Sequence, residues 1–248
     1  SFLRRAAAVI VPTQATRRDV VRLAGVDPAR IHVVPYGVDA RFRPLGEQQR
    51  IALKRQITAA PHLLLHVSTG DPYKNVPATL RALAALRASG IDAVLARAGR
   101  PLTEDQRLLA ASLRIEPSII DHGAVPDARL VELYNAADAL LFPSFYEGFG
   151  WPPLEAMACG TPVVTSTAAA LMEVTGDAAL HAPATDIDGF AAALRSVLTS
   201  PDAAQRLRWA GITHASGFSW QRTVDGFAAA YDSVLGVTAS AEEAPCAA

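Results

Sequence analysis

Glu147 and Glu155 stand with seven residues between them in the passage Phe142-Pro143-Ser144-Phe145-Tyr146-Glu147-Gly148-Phe149-Gly150-Trp151-Pro152-Pro153-Leu154-Glu155, which runs on through Cys159, Gly160 and Pro162. Gly148 and Gly150 let the backbone between the acids approach a ligand closely and take positive φ. Pro152 or Pro153 suits the first turn of a helix, where a missing N–H costs nothing. Gly160 falls where a left-handed C-terminal cap belongs, and Pro162 stops the helix from continuing. The passage therefore reads as a strand at 139–142, a loop, a short helix at 152–158, a turn and a strand at 162–165. Free N–H groups and the positive end of that helix point into the loop mouth, where a diphosphate is the natural guest. Two acids in the same place would repel a diphosphate unless they face hydroxyl groups. The arrangement that follows puts phosphates at the N–H groups and a polyol on either side, Glu147 serving one from the loop and Glu155 the other from the first helical turn. Taken singly, Glu147 also reads as a solvated loop acid and Glu155 as a residue complementing the helix dipole. Their joint placement in this Gly/Pro framework favours the ligand.

The elements that position these groups alternate along the chain. Strands are expected at 63–67, 93–98, 118–121, 139–142 and 162–165, and helices at 77–89, 104–114, 127–137, 152–158 and 188–199. Such alternation predicts an α/β fold: a Rossmann-like parallel sheet with helices on both faces. Ligands bind beyond the carboxyl ends of strands in sheets of this type. Ahead of this series lie a strand at 7–12, a helix at 14–23 with Thr13 as N-cap, and a strand at 31–35. Residues 41–49, with Pro44 and Gly46, read as a linker. Two helices, 203–214 and 221–235, precede a flexible tail.

Composition narrows the function. Half of the 248 residues are hydrophobic, 19% are charged and the formal net charge is −1. There is no basic surplus to neutralise nucleic-acid phosphates. No apolar run approaches the ~20 residues of a membrane span. Cys159 and Cys246 lie far apart, which fits a reducing cytoplasm better than a disulfide framework. Lys54 and Lys74 are the only lysines in an arginine-rich chain. A lysine retained in Thr69-Gly70-Asp71-Pro72-Tyr73-Lys74-Asn75, on the loop after the strand at 63–67, is a point charge suited to a departing diphosphate; the plain alternative is a surface lysine on a turn. The chain starts at Ser1 in what reads as mid-domain, and is expected to be a fragment.

The Glu-x7-Glu spacing and its surroundings, from Ser144 to Val164, resemble family 4 of the retaining glycosyltransferases, which have the GT-B fold. So do Ala8–Val11 with Pro12-Thr13, Val33–Asp39, Tyr134–Asp138, Glu173–Ala179 and Phe218-Ser219-Trp220; the likeness runs to about residue 235. It implies a C-terminal donor-binding domain at 46–220, the tail end of the N-terminal acceptor domain and the inter-domain linker at 1–45, and a crossing helix and tail at 221–248, with most of the N-terminal domain missing. Glu147 would contact hydroxyls of the donor sugar, Glu155 the ribose hydroxyls, and the amides near Gly148, Phe149, Gly150 and Leu154 would lie by sugar and phosphate. Lys74 matches the lysine of the family's diphosphate clamp, with Thr69 beside it. The usual Gly-Arg pair before that lysine is replaced by Ser68 and Thr69, so the clamp reduces to Lys74 and the helix N-terminus. Glu147 and Lys74 are the residues nearest the chemistry. The resemblance implies retention of anomeric configuration, no metal and no cofactor, a nucleotide diphosphate sugar as donor, and a sugar or lipid-linked acceptor. The local form is similar to that of mannosyltransferases of surface polysaccharides, which suggests GDP-mannose, polysaccharide or glycoconjugate synthesis, and a cytoplasmic protein peripheral to the inner membrane through the missing domain. Such a fragment would bind nucleotide but transfer sugar poorly. Two alternatives stay open: a non-catalytic nucleotide-sugar-binding module with a partner chain, and an epimerase or phosphorylase of the same fold. A dinucleotide oxidoreductase is disfavoured, because no Gly-x-Gly-x-x-Gly follows the strand at 63–67.

Weaker signals have plainer readings. Asp186-Ile187-Asp188 has the form of a metal motif but precedes a helix, where acids cap and complement the dipole. His122 could flank a nucleobase, though a polar loop residue is the simpler reading, and His66 reads as a core or strand-end histidine. Trp151 and Phe149 serve equally well as a sugar platform or as loop packing.

Overall fold

The computed structural model describes residues 2–236; Cys246 and the tail lie outside the described residues. Two strands, β1 (Val9–Val11) and β2 (Ile31–Val33), pair in parallel around helix α1 (Gln14–Asp19). Thr13 caps α1 as expected, its hydroxyl accepting from the Thr16 N–H. The helix is shorter than expected: residues 20–24 widen into a π turn that ends at Gly25, φ 63°.

The linker expected over 41–49 stops at Gly46. Helix α2 (Glu47–Ile57) begins there and buries Leu53 against the main sheet. Next come β3 (His62–Ser68), α3 (Val76–Ala88), β4 (Ala93–Gly99), α4 (Glu104–Ser112), β5 (Ile119–Asp121), α5 (Asp127–Ala136) and β6 (Ala139–Phe142). They are followed by α6 (Trp151–Ala158), β7 (Val163–Ser166), α7 (Ala169–Thr175), β8 (Leu180–Ala182), α8 (Ile187–Thr199), α9 (Pro201–Ala215) and α10 (Trp220–Leu235). Neither α7 nor β8 was expected from the sequence.

β3 to β8 form one parallel sheet in the order β5-β4-β3-β6-β7-β8. Leu63, Leu64 and Leu65 in β3 are all fully buried. A continuous apolar run is what a strand covered on both faces requires. Leu63 and Leu65 face the cluster holding α5 and α6, while Leu64 faces the one holding α3 and α8. The expected α/β architecture is thus observed, with helices on both faces.

α10 returns along the first segment. Gly226 lies against Val34 so closely that a Cβ there would come within 2.6 Å of Val34 Cγ1. The Thr223 hydroxyl donates to the Pro35 carbonyl at 2.9 Å.

Candidate functional site

β3 and β6 are neighbours at the middle of the sheet, and the chain winds outward from each in opposite directions. This is the point of a doubly wound sheet where a crevice opens beyond the strand ends. The loop after β3 carries Thr69 and Lys74; the loop after β6 carries Glu147, Gly148, Phe149 and Gly150. Two ties hold these loops together. The Phe145 N–H donates to the Tyr73 carbonyl at 2.8 Å. The Asn75 amide donates to the carbonyls of Pro143 and Ala184, at 3.0 and 2.8 Å. Asn75 takes left-handed φ of 55° to do so, a conformation asparagine tolerates better than most residues.

Lys74 Nζ donates to Glu147 Oε1 at 2.7 Å, and the two side chains are only 12% and 9% exposed. The ammonium also lies 5.2 Å from the centre of the Phe142 ring and 5.1 Å from that of Tyr73. Glu147 is therefore not a solvated loop acid; its charge is answered by the one lysine of the crevice. Chemically, this is a cation already shielded from water, able to exchange one oxygen anion for another.

Glu155 is the fifth residue of α6, so it stands on the second turn rather than the first. It is half-buried, and burial pushes its carboxyl above the usual range; the Tyr134 hydroxyl opposes that shift. Tyr134 OH donates to Glu155 Oε2 at 2.7 Å. The two acids are thus held by different partners, Glu147 by Lys74 and Glu155 by Tyr134.

The N-terminus of α6 is poorer in donors than the sequence suggested. Gly150 is the cap, with φ 106°, and Trp151 the first helical residue, so Pro152 and Pro153 take the next two places. Both lack an N–H. That leaves the N–H groups of Gly150, Trp151 and Leu154 at this end of the helix. The Leu154 side chain is fully buried, so a contact from this residue to a ligand would come from its backbone N–H. The Phe149 ring is buried too, edge-on to Tyr36, Trp151 and Phe218. Trp151 stacks on Tyr36 at 5.0 Å and its indole N–H donates to the Gly37 carbonyl at 3.3 Å. Loop packing accounts for the Phe149 ring, whereas Trp151 keeps 42% of its surface exposed.

The first segment grips the same loop. The hydroxyls of Thr13 and Thr16 donate to the Gly148 carbonyl at 2.9 and 3.0 Å. In a trans peptide the next N–H points the opposite way, so the Phe149 N–H is turned away from α1. Glu173 on α7 accepts from the N–H groups of Gln14 and Ala15 at 2.6 and 3.0 Å, capping α1 from across the molecule.

Thr69 is exposed and its hydroxyl donates to Asp71 Oδ2 at 2.6 Å. Arg100 Nη1 lies 3.7 Å from the other Asp71 oxygen, so this loop carries a second cation nearby. Sequence reading missed Arg100, Tyr134, Thr13 and Thr16 as neighbours of the site. Arg100 was legible in principle, since it immediately follows β4, whose carboxyl end opens on the same crevice edge.

His66 is a core residue: it is fully buried between the Leu141 carbonyl and the Ser68 hydroxyl, each 3.0 Å from a ring nitrogen. Burial lowers its pKa to about 4. His122 is half-buried with its Nε2 unpartnered among the described residues. Asp186 caps α8, accepting from the Gly189 N–H at 2.8 Å. Among the described residues no three His, Cys, Asp or Glu side chains converge as a metal site, and no helix is long and apolar enough to cross a membrane.

A doubly wound sheet with charged side chains at its switch point is a Rossmann-like α/β unit, and comparison with known proteins specifies it. Residues 48–214 match the family described as glycosyl transferases group 1, and residues 1–42 match glycosyltransferase family 4. The chain belongs to the group 1 glycosyltransferases. It is 37% identical over 95% of its length to the D-inositol 3-phosphate glycosyltransferase of Geodermatophilus obscurus, covering 53% of that protein. To the MMP alpha-(1->4)-mannosyltransferase of Mycolicibacterium hassiacum it is 32% identical over 92% of its length, covering 54% of that protein. The chain thus spans about half the length of the curated relatives it matches. Among solved structures, Anabaena HepE in complex with UDP and glucose superposes with a TM-score of 0.85 at 21% identity, over 93% of this chain and 64% of that one. The fold is the α/β, GT-B type expected from the sequence.

Proposed function

We propose that this chain supplies the nucleotide-sugar site of a retaining glycosyltransferase. The observation that carries the reading is the largely buried Lys74–Glu147 pair at the switch point. Lys74 would hold the diphosphate, Glu147 the hydroxyls of the transferred sugar and Glu155 the ribose. The N–H groups of Gly148, Phe149 and Gly150, with Thr69 on the facing loop, would line the same space. The reaction asks little covalent chemistry of the protein. It needs the donor held in place and the negative charge stabilised as it grows on the leaving diphosphate. Glu147 orients the sugar in this account and forms no bond to it. No metal or cofactor is required by the groups named.

The names of the relatives support a sugar transferred to a hydroxyl-bearing acceptor, in two cases a mannosyl unit. GDP-mannose is the donor we put forward on that basis, with polysaccharide or glycoconjugate synthesis as the setting. Because the chain matches about half of each relative, we expect these residues to bind nucleotide and to need further acceptor-side surface for efficient transfer. Thermal melting with UDP, GDP, ADP and dTDP tests the proposal. One nucleotide should raise Tm selectively, and E155A should abolish the rise, since a ligand stabilises the state that binds it. Equal shifts with all four that survive E155A would reject it.

A further inference from the structure

The second acid of the site does not stand alone. Tyr134 lies at the carboxyl end of α5, wholly inaccessible to solvent, with its ring edge-on to Phe42 at 5.9 Å. Its hydroxyl reaches Glu155 Oε2 at 2.7 Å. Its carbonyl accepts from the Thr161 hydroxyl at 2.5 Å, just past the end of α6. One residue therefore fastens α6 at two points, through the carboxylate in its middle and through the turn that follows. A free glutamate side chain spreads over many rotamers, and holding one of them costs entropy each time a ligand binds. A buried tyrosine hydroxyl meets that cost in advance.

We propose that Tyr134 is a positioning residue of the nucleotide site, fixing Glu155 through Oε2 so that Oε1 is presented to the ribose hydroxyls. This rests on the donor-site reading above. The same bond has an electrostatic effect: burial drives the Glu155 carboxyl upward, and the tyrosine O–H, by solvating the anion, drives it back. The nearby Cys159 thiol is pushed up to about 12 by burial and by Glu155, so it stays neutral and adds no competing charge.

The test is calorimetric titration of the full chain and of Y134F, E155Q and the double variant, between pH 5 and 8. The titrant is whichever of UDP, GDP and ADP binds tightest, alongside its 2′,3′-dideoxy form. Phenylalanine keeps the ring in the core and removes only the hydroxyl. The ribonucleotide should bind Y134F about tenfold more weakly, the scale of one hydrogen bond to a charged group. The dideoxy form should bind wild type and Y134F alike. The acid limb of the ribonucleotide affinity should move to higher pH in Y134F and be missing in E155Q, and the double variant should bind no worse than E155Q. If Y134F binds as wild type while E155Q is weakened, the positioning role is wrong and the donor site stands. If Y134F loses the dideoxy form equally, the tyrosine acts on the fold and not on the ribose contact. If wild type and E155Q bind alike, or no nucleotide binds at all, the donor-site reading itself fails.

Discussion

Lys74 Nζ meets Glu147 Oε1 at 2.7 Å although 73 positions separate them in the chain. The pair makes a specific prediction about ligands with and without a sugar. A nucleoside diphosphate competes with Glu147 for the lysine, so E147Q should bind the bare nucleotide as tightly as wild type or several-fold more tightly. It should gain nothing with the sugar-bearing donor, whose hydroxyls have lost their acceptor. K74A should weaken both ligands by about ten- to a hundredfold, as expected for a lost charge-assisted bond. Titration calorimetry with the two ligands checks all four outcomes.

Thr13 and Thr16 hold the loop by one carbonyl. The double variant T13V/T16V leaves the Gly148 oxygen without its two protein donors while keeping side-chain shape. It should cost about 1–3 kcal/mol of stability, from the half-buried Gly148 acceptor left unpaired and from the lost Thr13 cap of α1. It should also weaken nucleotide binding, because the Phe149 N–H loses its fixed direction. Urea unfolding and titration of the same preparation measure the two effects separately.

Gly150 has two reasons to be glycine. Its φ is 106°, and a Cβ there would come within 2.6 Å of Leu171 Cδ2. G150A should therefore lose about 1–3 kcal/mol from backbone strain alone. The displaced cap should also lower nucleotide affinity. G90A provides the comparison: Gly90 has φ 86° but open space around its Cβ position, so strain acts there without the clash. A G150A variant no less stable than G90A would contradict the packing argument.

His66 ties stability to pH. Buried and neutral in the fold, with its pKa lowered to about 4, it accepts a proton more readily once unfolded, near 6.5. Its contribution is fully present above pH 6.5 and is lost as pH falls from 6.5 towards 4, in total on the order of 3 kcal/mol. Unfolding midpoints at pH 7, 5.5 and 4.5 should fall more steeply for wild type than for H66Q.

The sheet was legible because its strands are buried on both faces. Runs such as Leu63-Leu64-Leu65 have no polar alternation, and turn residues bound them. What escaped was short or thinly apolar. Only Leu53 of α2 is buried, so the helix has little periodicity to read after Pro44 and Gly46. β8 is a three-residue edge strand. At the site, the glutamates, the glycines and Lys74 stood out by type and spacing. Their partners did not: nothing local marks Tyr134, Thr13 and Thr16 as neighbours of the site, and tertiary packing of α5 and α1 brings them in. At the helix N-terminus, prolines that suit a first turn also remove two of the N–H groups an anion could use.

The central claim is best tested by a crystal structure with the tightest-binding nucleoside diphosphate. The account predicts the diphosphate beyond the carboxyl ends of β3 and β6, with Lys74 turned from Glu147 to a phosphate oxygen and Glu155 Oε1 on the ribose. A nucleotide seated elsewhere, such as the cavity of about 310 Å³ beside Arg50 and Arg208 near His62, with the Lys74–Glu147 pair undisturbed, would contradict it.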